Sequence, residues 1–338
     1  MIIIAQPAVT DAQIDHILAR IEEYGLRSQV MRGESRVVIG VIGPDELIRE
    51  KPLAAIPGVE SVVPVMKPYK LAAQENGAAP PPVAIGEVLI GTGQRVALIS
   101  GPCSVESKEQ LISIASLVKK AGARVLRGGA YKPRTSPYSF QGLGENGLRI
   151  LAEARAATGL PIITEIMDTR DLALVEKYAD CLQVGSRNMQ NFALLKEVGR
   201  SHLPVMLKRG FSATISDLLL SAEYILSEGN RNVLICERGI RTFETMTRNT
   251  LDLNAVPILK AKSKLPVVVD PTHGIGVREF IPQMSLAAVA AGADAVMIEV
   301  HHDPEHARSD GEQALRPEVF ADLVRRLRAV ANAIGREL

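Results

Sequence analysis

The chain has almost no charge imbalance. Its 39 lysines and arginines face 38 aspartates and glutamates, a formal net charge of +1. That excludes a general electrostatic footprint for nucleic acid or an anionic membrane. Cysteines are few, three in 338 residues and far apart, which excludes a disulfide framework and fits a reducing compartment. No apolar run approaches the roughly 18–20 residues of a membrane span. The first residues, Met-Ile-Ile-Ile-Ala-Gln-Pro, lack the basic region and long apolar stretch of a secretion signal, so the cytoplasm is the expected location. Aromatics are scarce at 4%; the remaining composition, 46% hydrophobic and 23% charged, is that of an ordinary globular protein. The length suits one large domain, or a large one with a small companion.

The patterning divides the chain accordingly. Met1–Gln6 reads as an apolar strand. Thr10–Tyr24 carries helical spacing through Ile14, Ile17, Leu18 and Ile21, with Thr10 placed as N-cap and Gly25 as terminator. Strands run from Leu26 to Met31 and from Arg36 to Ile42, then a second helix over Pro44–Lys51 and a strand over Val59–Val65. The order β-α-β-β-α-β is the split βαβ pattern of ferredoxin-like domains, here spanning residues 1–69. Residues 70–82, ending in three prolines, read as a semi-rigid linker. Val83–Gln94 reads as a short hairpin.

From Arg95 on, short apolar runs alternate with helical stretches. The runs are Val96–Ser100, Val125–Arg127, Pro161–Glu165, Cys181–Val184, Pro204–Leu207, Val233–Cys236, Pro266–Val269 and Ala295–Ile298. Continuous apolar strands separated by helices imply a parallel sheet covered on both faces. Eight such units in residues 83–338 predict a closed (β/α)₈ TIM barrel of the α/β class. The hairpin at Val83–Gln94 is then able to plug the N-terminal mouth of that barrel. An open doubly wound sheet is the competing reading, but it gathers functional residues at one switch point. Here charged residues end nearly every strand.

In a barrel those ends converge on one face. Cys103, His273, Glu299 and Asp310 would meet there. A thiolate, an imidazole and two carboxylates suit Zn²⁺, Fe²⁺, Mn²⁺ or Co²⁺, and the carboxylates favour Mn²⁺. Singly, each has an ordinary structural reading, and Cys181 and Cys236 are assigned to the core. Arg127, Lys132, Arg134, Arg187, Lys208 and Arg238 extend buried strands into loops, with Thr135 and Ser136 as added hydroxyl donors. Such cations are placed to bind phosphate or carboxylate. They exceed the needs of a single phosphate, so two anionic substrates, or one doubly charged, are expected. Glu237 and Asp270 would orient neighbouring cations or metal-site waters. Glu106, Glu165 and Asp168 are as well placed for capping helices as for chemistry.

Several motifs then fall together: Gly-Pro-Cys103-Ser, Leu-Arg127-Gly-Gly-Ala-Tyr-Lys132-Pro-Arg134-Thr-Ser-Pro-Tyr, Gln-Val-Gly-Ser-Arg187-Asn-Met-Gln-Asn, Leu-Lys208-Arg-Gly, Asp-Pro-Thr-His273-Gly, and Glu299-Val-His with Ser-Asp310-Gly. Over Val83–Leu338 they resemble 3-deoxy-D-arabino-heptulosonate-7-phosphate (DAHP) synthase, which catalyses the first step of the shikimate pathway to the aromatic amino acids. The N-terminal unit resembles the subgroup whose ferredoxin-like domain binds an aromatic amino acid and inhibits the barrel. The resemblance implies Cys103, His273, Glu299 and Asp310 as metal ligands. It implies Arg127, Lys132, Arg187, Lys208 and Arg238 for phosphoenolpyruvate, and Arg134, Thr135 and Ser136 for erythrose 4-phosphate. Lys132, with Cys103 and His273, is the implied catalytic set, and Lys132 the favoured proton donor. Tyrosine or phenylalanine is the implied effector and a homotetramer the implied assembly. After Glu299 the chain reads Val-His-His-Asp-Pro, where many members have Val-His-Pro.

The related 3-deoxy-octulosonate-8-phosphate synthase, which uses arabinose 5-phosphate, has Lys-Ala-Asn-Arg-Ser where this chain has Lys132-Pro133-Arg134-Thr135-Ser136. That favours erythrose 4-phosphate. A third reading, an inactive barrel serving an amino-acid-sensing domain, fits poorly because every matched catalytic position is filled.

Overall fold

The computed structural model describes residues 1–33, 35–43, 51–63, 69–74, 81–134 and 136–338. The chain divides into two compact units, Met1–Lys70 and Leu71–Leu338.

The first unit is a four-stranded antiparallel sheet of β1 (Ile2–Ala5), β2 (Arg27–Arg32), β3 (Val37–Ile42) and β4 (Val59–Val63), in the order β2-β3-β1-β4. With β1 central, this is the split βαβ arrangement. The helix Asp11–Glu23 starts at Thr10, whose hydroxyl accepts from the Gln13 amide while the Gln13 side chain accepts from the Thr10 amide. That reciprocal cap contributes about 1 kcal/mol to helix stability. Ile14, Ile17 and Ile21 share one helix face and bury against Ile3, Ile39 and Val41 of the sheet. Gly25 ends the helix at φ +73°, a left-handed turn that costs glycine little. The second helix expected over Pro44–Lys51 falls almost wholly on residues 44–50, outside those described.

The second unit opens with a hairpin of β5 (Val83–Ile85) and β6 (Val88–Ile90) and continues as the expected barrel. The barrel strands are β7 (Ala97–Gly101), β8 (Val125–Arg127), β9 (Ile162–Ile166), β10 (Cys181–Val184), β11 (Val205–Lys208), β12 (Val233–Glu237), β13 (Val267–Val269) and β14 (Ala295–Glu299). All barrel pairings are parallel, and β14 closes on β7 from Ala295↔Ala97 to Glu299↔Gly101. Every barrel-strand residue is buried, as expected of strands with side chains filling the lumen on one face and helices covering the other. The hairpin sends Val83, Ile85, Val88 and Ile90 into one core cluster with Ile99, Val125, Ile163, Met206 and Val268 of the barrel. Gly86 lies against Pro161 and Gly91 against Pro266. Both prolines immediately precede strands, so the hairpin closes the N-terminal mouth. The opposite mouth is left for chemistry.

Part of the expected linker is bound to the barrel unit. The Leu71 and Ala72 amides donate to the Glu223 carboxylate at 2.7 and 2.9 Å, and Ala73 bridges to Ser263. Residues 75–80 lie outside the described set.

Candidate active site

At the C-terminal mouth, side chains separated by up to 207 residues meet. Cys103 sits two residues past β7, His273 in the short helix Pro271–Ile275 after β13, Glu299 at the end of β14, and Asp310 in the loop beyond. Their donor atoms all lie within 4.8 Å of one another. The Cys103 thiol donates to Asp310 Oδ2 at 3.0 Å, and His273 Nε2 is 3.2 Å from Glu299 Oε1. Among the described residues, Asp310 is the only non-glycine with positive φ, +49°; aspartate tolerates that left-handed backbone better than most residues.

The donor chemistry fits a divalent cation. Asp270, fully buried, accepts from the His273 amide at 3.0 Å and from His273 Nδ1 at 2.7 Å. That fixes the tautomer and points the Nε2 lone pair into the cluster. Burial would raise the Glu299 carboxyl, but His273, Arg127 and Lys132 together hold it down to about 2. Burial pushes the Cys103 thiol up to about 12, reinforced by Glu299. A coordinated cation is the usual means of holding such a buried thiol as thiolate. The set of one sulfur, one nitrogen and two carboxylates is open to Mn²⁺, Fe²⁺, Co²⁺ or Zn²⁺.

Above the cluster lies a cavity walled by cations. Arg127, Lys132, Arg134, Ser136, Arg187, Lys208 and Arg238 all line it, together with His273 and Asp310. Thr135 lies outside the described residues. Arg127, Lys132, Lys208 and Arg238 are buried. Arg127 pairs with Glu299, Lys208 Nζ with Asp270 at 2.5 Å, and Lys132 Nζ with the Cys103 sulfur at 2.9 Å. Arg238 is different: among the described residues it has no carboxylate partner, and burial lowers its pKa. A buried, unpaired guanidinium is costly unless an anion joins it. The loop after β8, which carries Lys132, Arg134 and Ser136, folds back tightly. A Cβ at Gly142 (φ +97°) would stand 2.1 Å from the Ala130 carbonyl oxygen.

Residues 69–334 match the model of the DAHP synthetase I family, and residues 1–67 that of the DAHP synthase ferredoxin-like domain. The chain belongs to the DAHP synthetase I family. It is an enzyme. It is 48% identical over 335 residues, 99% of both chains, to the phospho-2-dehydro-3-deoxyheptonate aldolase of Thermotoga maritima. The crystal structure of that aldolase, also named DAHP synthase, superimposes with a TM-score of 0.93 at 46% identity, covering 99% of this chain and 98% of the other. A truncated form of the Thermotoga maritima synthase covers 79% of this chain, and 98% of its own, with a TM-score of 0.74. More distant is a 2-dehydro-3-deoxyphosphooctonate aldolase of Bradyrhizobium diazoefficiens, 35% identical over 75% of this chain and 95% of its own. Among the described residues no helix is long and apolar enough to cross a membrane.

Within this DAHP synthase family barrel, some charged residues serve the frame. Arg209, next to Lys208, turns the other way and pairs with Glu237 and Asp252, both at 2.8 Å. Asp168 caps a turn through the Arg170 amide, and Glu106 accepts from the Arg308 amide. Glu165 instead lines the cavity, with Gln183 donating to it at 3.2 Å. Gln183, Phe211 and Arg248 also line the cavity and have no counterpart in the sequence reading. Arg248 donates to Gln313, which donates to Glu299 Oε2 at 2.7 Å. Gln183 could have been found from strand alternation. Phe211 and Arg248 lie in loops, where no periodicity marks direction.

Proposed function

We propose that this chain condenses phosphoenolpyruvate with erythrose 4-phosphate, giving DAHP and inorganic phosphate. One observation carries the reading: a four-donor cluster, with its donor atoms within 4.8 Å of one another, lies beneath a cavity walled by cations. The match to the DAHP synthetase I family over residues 69–334 supports it.

A divalent metal held by Cys103, His273, Glu299 and Asp310 would supply a Lewis acid for the aldehyde. The chain's own residues do the rest. Lys208, Arg187 and Arg238 hold the phosphate and carboxylate of phosphoenolpyruvate, with Arg127 beside them. Arg134, Thr135 and Ser136 hold the aldose phosphate. Bond formation joins the methylene carbon of phosphoenolpyruvate to the aldehyde carbon, and Lys132 gives its proton to the developing alkoxide. Water adds at the carbon bearing phosphate, and inorganic phosphate leaves with its oxygen. Positioning two anions against fixed cations supplies most of the acceleration.

The N-terminal unit is assigned to feedback control by tyrosine or phenylalanine, the homotetramer to its assembly and Mn²⁺ to the metal site. Three unpaired cysteines support a reducing, cytoplasmic setting. Phosphoenolpyruvate consumption with Mn²⁺, measured with erythrose 4-phosphate and separately with arabinose 5-phosphate, tests the reaction. Turnover with the four-carbon aldose is expected; turnover with the five-carbon aldose alone would overturn the reading.

A further inference from the structure

Phe211 lies just beyond β11, and three guanidinium groups converge on its ring. Arg238 stands 4.8 Å from the ring centroid, Arg241 4.9 Å and Arg187 5.5 Å. They come from two loops: Arg187 lies after β10, and Arg238 and Arg241 after β12. The Arg241 amide donates to the Phe211 carbonyl at 2.7 Å, tying the loops after β11 and β12 together. Among the described residues, none of the three arginines has a carboxylate partner.

Arg238 is buried, whereas Arg187 and Arg241 are exposed. The negative face of an aromatic ring attracts each guanidinium, but a neutral ring cannot balance three charges. A bound anion can. Arg187, Arg238 and Phe211 line the cavity, and Arg241 packs on the same ring without lining it; the three guanidinium groups that the ring gathers form a cradle.

We propose that Phe211 is the positioning residue of this cradle, holding Arg187, Arg238 and the previously unassigned Arg241 around one phosphate group. Naming that phosphate as phosphoenolpyruvate's rests on the condensation reading; the cradle itself does not.

Inorganic phosphate, titrated calorimetrically into the full-length protein, probes the cradle without any turnover. Phe211→Leu should weaken phosphate binding and raise the phosphoenolpyruvate KM, each by about 5- to 20-fold. Its kcat, and the KM for erythrose 4-phosphate, should stay within about threefold of wild type, because the ring acts on one anion only. Phe211→Tyr keeps the ring and should restore phosphate affinity to within about twofold. Equal loss in Phe211→Leu and Phe211→Tyr, or no loss in either, overturns the proposal. Should the leucine variant fail to fold, Arg241→Gln decides: phosphate affinity falling about threefold or more supports the cradle, and unchanged affinity overturns it. Phosphate binding with this dependence in a protein that condenses no erythrose 4-phosphate would support the cradle and overturn the proposed reaction.

Discussion

The Cys103 sulfur accepts a hydrogen bond from Lys132 Nζ at 2.9 Å, with both residues buried. Metal donor and proposed proton donor are thus in direct contact, which couples metal occupancy to the position of the ammonium.

Cys103→Ala therefore removes a ligand and an anchor at once. Condensation is expected to fall by at least about 100-fold, and Mn²⁺ affinity, read by calorimetry, should fall with it. Chelation should silence the wild-type enzyme and added Mn²⁺ restore it. Near-normal phosphoenolpyruvate consumption by the alanine variant, independent of Mn²⁺, would remove the cysteine from the metal site.

Asp270 gives a second handle on the same cluster. Its Oδ2 serves both His273 Nδ1 and Lys208 Nζ. Asp270→Asn keeps the shape but loses the charge that orders these two donors. Metal affinity should weaken by about 10- to 100-fold, the usual effect of removing a partner that orients a ligand. The phosphoenolpyruvate KM should rise as well, through Lys208. Unchanged Mn²⁺ affinity would mean that His273 is oriented by packing alone.

Arg209 makes the opposite case, a strand-end cation turned into the frame. Arg209→Leu strands the fully buried Glu237 and the partly buried Asp252 without their cation. Breaking a buried pair from one side costs about 3–5 kcal/mol, so urea unfolding should shift to markedly lower concentration. A loss under about 1 kcal/mol would show that the network relaxes and takes up water instead.

Lys208 and Arg209 also mark where sequence reading ends. Apolar runs as short as Val267–Val269 sufficed to locate barrel strands because every strand position is buried and most of each run is apolar. Thr10 was legible as a cap because its partner Gln13 lies three residues on. Cys103 and Asp310 could be joined only by assuming closure, which brings β14 beside β7. Neighbouring cations at a strand end point to opposite sides of the pleat. Which of Lys208 and Arg209 entered the cavity therefore depended on parity that the end of a run does not fix. Arg241, Arg248 and Phe211 lie in loops whose direction is set by long-range contacts, such as the Arg241 amide on the Phe211 carbonyl. No local pattern encodes that.

The division of the chain yields the last prediction. The barrel unit has its own closed core, and Leu71–Gln74 belong to it through Glu223, Ser263 and Lys262. A shortened chain beginning at Leu71 should keep condensation and lose inhibition by tyrosine or phenylalanine. One beginning at Pro82 should also turn over, but with stability lower by about 1–3 kcal/mol, because the Glu223 carboxylate loses two amide donors at 2.7 and 2.9 Å. Melting temperature separates the two shortened chains, and activity with and without the amino acids separates both from the full-length enzyme. If tyrosine and phenylalanine inhibit all three equally, the effector binds the barrel and the N-terminal sheet serves another purpose, such as assembly. If inhibition is confined to the full-length enzyme, the antiparallel unit is the sensor.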